Sequence, residues 1–159
     1  MSNQQIHIQF PDGSEKAYQA GVLAKEVAQS ISQSLYKEAV VCRVNDRLVD
    51  LTHPLQADCE LTFYTLKDQE GLNVMRHSAA HVLAQALTRL YPDVKLTIGP
   101  VIENGFYYDN TLYKSIREAN LNEIVNKMNK VHIIKIKIVR QDIGYAEARN
   151  ILKDNPYIL

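Results

Sequence analysis

The sequence predicts an α+β protein built from two small modules. Alternating apolar and polar residues mark short strands through the first 65 positions, and apolar residues at helical spacing recur from position 70 onward. Between the two patterns lies a short polar stretch, Lys67-Asp68-Gln69-Glu70-Gly71, with no apolar anchor.

The first module opens with Ile6-His7-Ile8-Gln9-Phe10, then Pro11-Asp12-Gly13, then a polar return through Lys16 and Tyr18. This is a strand, a tight turn and a second strand, because proline presets φ and glycine supplies the positive φ that hairpin turns favour. Leu23, Val27 and Ile31 recur every four residues, so positions 22–31 read as one amphipathic helix. The β-rich runs at 39–44 and 48–51 flank the turn pair Asn45-Asp46, and a last strand covers 60–64. The order is ββαβββ. One helix across a mixed sheet with first and last strands adjacent buries that pattern, which is a β-grasp arrangement.

The second module begins with a helix over about 70–90, on which Met75, Ala79, Val82, Ala86 and Leu90 form the expected buried stripe. His77, His81 and Gln85 lie opposite, and Pro92 stops the helix. A strand is expected at 95–98, a bend at Gly99-Pro100, and a hairpin that joins Val101-Ile102 to Gly105-Phe106-Tyr107-Tyr108 around Glu103-Asn104. A second helix over about 118–131 turns Leu121, Ile124, Val125 and Met128 inward. Ile134, Ile136 and Ile138 alternating with Lys135 and Lys137 predict a half-buried strand, and Asp142 caps a last helix through Ile151 and Leu152.

With 46% hydrophobic and 23% charged residues, the composition is that of a chain with a core rather than a disordered one. No apolar run approaches the ~20 residues that span a bilayer, and the polar start Ser2-Asn3-Gln4-Gln5 is no secretory signal, which predicts a cytosolic protein. Cys42 and Cys59 lack the spacing of a disulfide framework and read as buried free thiols. Net charge is zero, which argues against nucleic-acid binding through a bulk basic field. Residues 1–65 carry 5 Lys+Arg against 8 Asp+Glu and residues 66–159 carry 13 against 10, so a polyanion would favour the second module.

His77 and His81 stand four apart, so a helix projects both imidazoles from one face with their Cβ atoms about 6 Å apart. Such a pair can share a metal, or one ring can act as general base while the other binds a substrate oxygen. Two histidines at this spacing also arise by chance. Zinc proteases place a glutamate directly after the first histidine, whereas Ser78 stands here, and zinc would need a further ligand. Tyr107 and Tyr108 suit packing better than base stacking, and Lys127, Lys130, Lys135, Lys137 and Arg140 suit a solvated face better than an RNA track.

Taken in order, the segments from Met75-Arg76-His77-Ser78 through Ala79-Ala80-His81 and from Thr97-Ile98-Gly99-Pro100 through Tyr107-Tyr108-Asp109 resemble the opening of the editing domain of bacterial threonyl-tRNA synthetases. The first module, with its Phe10-Pro11-Asp12-Gly13 turn, resembles the ubiquitin-like TGS module that precedes that domain. The resemblance covers essentially the whole chain. It implies a TGS domain over 1–65, a linker over 66–71, and the N-terminal half of a tRNA-editing domain over 72–159.

By the same resemblance, the parent is a class II ligase that attaches threonine to its tRNA with ATP and hydrolyses seryl-tRNA at a separate site. His77 and His81 would position or deprotonate water and hold the terminal ribose, while Tyr108, Gly99 and Pro100 shape the amino-acid pocket, with no metal in it. Threonine-accepting tRNA mischarged with serine is the implied partner, the parent a homodimer of the cytoplasm away from membranes. This region needs no cofactor, and ATP, magnesium and zinc belong to the parent's catalytic core. No CxxxH follows His81, so half of the family's pocket lies outside these residues and the region alone is expected to be inactive. Ile158 follows Tyr157 where the family often has lysine. Two other readings stand beside this one: a TGS-containing RNA-binding or regulatory protein without catalysis, and a zinc-dependent deacylase of the alanyl-editing kind.

Overall fold

A carboxylate and a glycine set the first turn of the chain. The Asp12 carboxylate accepts from the Ser14 backbone N–H at 3.0 Å and from its hydroxyl at 2.6 Å, and Gly13 takes a φ of +81° that a side chain would resist. Strand β1 (Gln5–Gln9) thereby folds back on β2 (Glu15–Gln19). The structure, a computed structural model, describes residues 4–111, 118–134 and 141–155, with only the backbone of 118 and 119. It divides into two units, Met1–Met75 and Arg76–Leu159.

In the first unit β3 (Val22–Leu23) leads into α1 (Ala24–Ile31), whose start is secured by the Glu26 carboxylate accepting from the Leu23 N–H at 2.9 Å. Ser32 then caps α2 (Gln33–Glu38), its hydroxyl accepting from Leu35 N–H at 3.0 Å. Strands β4 (Val41–Val44), β5 (Arg47–Val49), β6 (Pro54–Leu55) and β7 (Cys59–Tyr64) follow. The main sheet has the order β2-β1-β7-β4-β5, with β1 and β7 parallel and adjacent at its centre, as a β-grasp requires. A separate ladder of β3 and β6 and the whole of α2 were not expected from the sequence.

The core of this unit comprises Ile6, Ile8, Val27, Cys42, Leu55 and Leu61, all essentially inaccessible. Of the expected stripe Val27 is buried, but its buried neighbours are Ala24 and Ala28, while Leu23 is half-buried and Ile31 is 39% exposed. Close packing of α1 on the sheet selects small residues there, and a count of large apolar residues misses them. Both cysteines are free, Cys42 buried and Cys59 half-buried. Burial, with smaller contributions from Asp50 and Cys59, pushes the Cys42 thiol up to about 12.

The stretch that reads as a linker is tied down within this unit. Asp68 accepts from Thr65 through its carboxylate, at 2.7 Å from the backbone N–H and 3.0 Å from the hydroxyl, and its carbonyl accepts the first helical N–H, that of Leu72, at 2.9 Å. Helix α3 (Gln69–Leu90) starts there. A side chain at Gly71 would collide with the Thr65 carbonyl, so only glycine lets the helix approach that close.

Helix α3 buries Ala80, Ala84, Ala86 and Leu87; of the expected stripe Ala86 is fully buried and Leu90 packs half-buried against the second unit's core, whereas Ala79 and Val82 are half-buried and Met75 is 42% exposed. Ala84 and Leu87 meet Val94, Leu96 and Ile124, with Leu83 and Leu90 packed beside them. Residues 95–98 form no regular strand. Leu96 makes one antiparallel bridge to Asn110, extended by Thr97 N–H to Asp109 O at 3.0 Å and Asp109 N–H to Ile98 O at 2.9 Å. The hairpin of β8 (Val101–Ile102) and β9 (Gly105–Phe106) then turns at Glu103-Asn104 as expected, though β9 stops short of Tyr107.

Helix α4 (Glu118–Ile133) buries Ile124 and Val131 and leaves Leu121 and Val125 half-exposed, against the expectation that both face inward. Helix α5 (Tyr145–Leu152) starts after Gly144 rather than at Asp142, so no side chain of the N-cap residue caps it. Beyond it the Asn155 side-chain amide donates to Leu96 O at 2.8 Å. The strand expected through Lys135 and Lys137, with Arg140, and the end containing Tyr157 and Ile158 lie outside the described residues. Among the described residues no helix is long and apolar enough to cross a membrane.

Leu61 lies at the centre of the first unit's core on the middle strand. Leu61→Ala should lower its unfolding free energy by about 2–5 kcal/mol in urea melts followed by circular dichroism, and a loss under about 1 kcal/mol would remove β7 from the core.

Candidate functional site

Positions four apart on a helix overlie one another, so α3 has to present His77 and His81 together. Their Nε2 atoms are 3.1 Å apart, the ring centroids 4.6 Å, and the ring planes stand at 88°. At that distance one ring donates an N–H and the other accepts it, which requires a neutral acceptor. Both side chains are exposed. The His81 pKa is lowered, first by loss of hydration against its surroundings and second by the neighbouring His77. A neutral imidazole beside a second imidazole can take a proton from bound water and hand it on, which is the chemistry of a general base with a relay partner.

The other expected site residues cluster around the β8–β9 hairpin. Gly99 lies directly beneath the ring of Tyr108, where any Cβ would collide with the ring. Tyr108 also packs against the core formed by Leu87, Val94 and Ile124, while Tyr107 is exposed. The contact is therefore a wall braced from behind. Pro100, half-buried, follows Gly99 into β8. Among the described residues no hydrogen bond or ring contact joins the histidine pair directly to Gly99, Pro100 or Tyr108.

A residue that sequence reasoning passed over links the two groups. Arg76, one position before His77, donates from Nη1 to Glu103 O at 2.8 Å and reaches Ile102 O at 3.5 Å. An arginine at the start of a histidine motif carried the only sequence signal, since its acceptors are backbone carbonyls that any residue could supply. Among the described residues, no group of three or more His, Cys, Asp or Glu could hold a metal ion. The first unit has a concavity of about 490 Å³ lined by Phe10, Leu61 and Phe63 together with Asp12, Ser14 and Lys16.

The family model described as TGS domain matches residues 6–65. Threonine–tRNA ligase of Staphylococcus epidermidis (strain RP62A) is 44% identical over 155 residues, covering 98% of this chain and 24% of that protein. Threonine–tRNA ligase 2 of Bacillus subtilis (strain 168) is 47% identical over 146 residues, 92% of this chain and 23% of that protein. The ligase of Staphylococcus carnosus (strain TM300) is 44% identical over 154 residues, 97% and 24% respectively. The chain thus spans about a quarter of the length of the curated relatives it matches.

Two measurements test this geometry. Gly99→Ala should displace Tyr108 and destabilise the second unit by about 1–3 kcal/mol, the cost of overpacking; an unchanged thermal transition would show that the ring yields freely. In an NMR titration His81 should take up its proton at a pH below the ordinary histidine value of 6.5, and His77→Gln should raise that midpoint. Because the folded state then binds the proton more weakly than the unfolded chain, this group's contribution to stability is complete above 6.5 and is lost as pH falls below it. A His81 midpoint at or above the unfolded value would contradict the assignment.

Proposed function

We propose that this chain is the N-terminal part of a threonyl-tRNA synthetase and that its second unit supplies one wall of a site that hydrolyses serine from mischarged tRNA. The observation that carries the reading is the exposed histidine pair with its Nε2 atoms 3.1 Å apart. One imidazole takes the proton of a water as that water attacks the aminoacyl ester carbonyl. The ester C–O bond then breaks, and the terminal ribose oxygen leaves with a proton returned by the pair.

Discrimination by size explains why such a site is needed. Serine lacks one methyl of threonine, and a missing methylene-sized group yields only ~1–3 kcal/mol of selectivity in a single binding step. The hydrolytic pocket must admit serine and reject the larger residue by steric exclusion. A wall that cannot yield, such as Tyr108 locked on Gly99, suits that task.

The whole enzyme attaches threonine to its tRNA with ATP in the cytoplasm, as a homodimer. ATP, magnesium and zinc are held by its catalytic core, outside these residues. The hydrolytic pocket is completed by residues beyond this region, so the chain alone does not deacylate seryl-tRNA. The relatives' names as threonine–tRNA ligases support the acceptor and the amino acid, and the +3 charge balance of residues 66–159 favours a polyanionic partner.

In a polypeptide that contains the complete domain, His77→Ala should slow release of serine from seryl-tRNA by roughly 10²- to 10⁴-fold. The melting temperature should change little, because the ring is exposed. Deacylation that persists at the parent rate would show the histidines to be structural.

A further inference from the structure

We propose that Arg76 is a positioning residue that sets the distance between the histidine pair and the amino-acid pocket wall, a role that rests on the hydrolytic reading of the site. The argument begins with connectivity. Gly99 and Tyr108 lie at the two feet of the β8–β9 hairpin, and their contact closes its base. The hairpin's far end, the Glu103-Asn104 turn, is held to α3 by Arg76 through two successive carbonyls. A two-strand ribbon this short is not stable on its own, so it needs an external tether. Arg76 supplies it one residue before His77.

The donor type matters. Both acceptors are main-chain carbonyls, Ile102 at the end of β8 and Glu103 in the turn, and the guanidinium reaches both from Nη1. Gly105, with its φ of +156°, lets the chain leave the turn in a conformation that side chains rarely adopt. The turn is thereby specified from inside by glycine and from outside by Arg76. Since α3 is a continuous helix through this region, fixing the turn to residue 76 fixes the wall relative to residues 77 and 81. The pocket's dimension then depends on this tether at the hairpin's far end together with the packing of Tyr108 on Leu87, Val94 and Ile124 at its base, rather than on the acid–base pair.

The prediction separates binding from chemistry. In a polypeptide with the complete domain, Arg76→Ala should raise KM for seryl-tRNA and reduce the preference for seryl- over threonyl-tRNA by on the order of 10- to 100-fold. The pH midpoint of kcat should stay where it is, because the histidines are untouched. Arg76→Lys should recover part of the loss, as an ammonium still donates to one carbonyl. In the present chain, hydrogen exchange at the amides of residues 105 and 106 should accelerate in Arg76→Ala. Parent-like exchange and kinetics in that variant would overturn the proposal, and so would a loss confined to kcat with a displaced pH profile. Should the wild-type domain fail to deacylate seryl-tRNA at all, the functional reading fails, while the exchange measurement still decides whether Arg76 holds the turn.

Discussion

An α-helix with 3.6 residues per turn leaves two side chains four apart no choice but to share a face, and the rest of the site depends on that constraint. At 3.1 Å the two imidazoles of α3 cannot both be charged without strong repulsion, so one stays neutral where an isolated histidine would titrate. The helix lowers the proton affinity of His81 by simple means. It needs a neighbour at the right interval and a surface that sheds some of the ring's hydration.

Much of the architecture was legible because it is written in local periods. The alternation at Ile6 and Ile8, the Asp12-Gly13 turn and the Asn45 turn each follow from residue chemistry within a few positions, and the strands appear near where that chemistry puts them. Asn45 takes a φ of +50°, a conformation asparagine tolerates better than most residues. The histidine pair was legible for the same reason, as it needs only a helix.

What escaped notice was set by partners distant in sequence. Ala84 and Leu87 of α3 are buried because Val94, Leu96 and Ile124 pack on them, and helical spacing alone does not disclose a contact made by residues distant in sequence. Residues 95–98 have strand-like composition, yet they find a partner only near Leu96, so the ladder stays a single bridge. Leu121 and Val125 show the limit of a periodic rule: it assigns a face, but contact depends on something packing there. Arg76 and Asn155 are the clearest cases, since each donates to main-chain carbonyls, which leave no trace in composition.

The packing of Tyr108 on Gly99 is a fit made from a missing atom, and such a fit is lopsided. The ring can be trimmed, to phenylalanine or histidine, and the glycine still passes beneath it. The glycine cannot grow by a single carbon without pushing the ring away. Drift at this pair should therefore run in one direction only, with variety accumulating above the contact and none below.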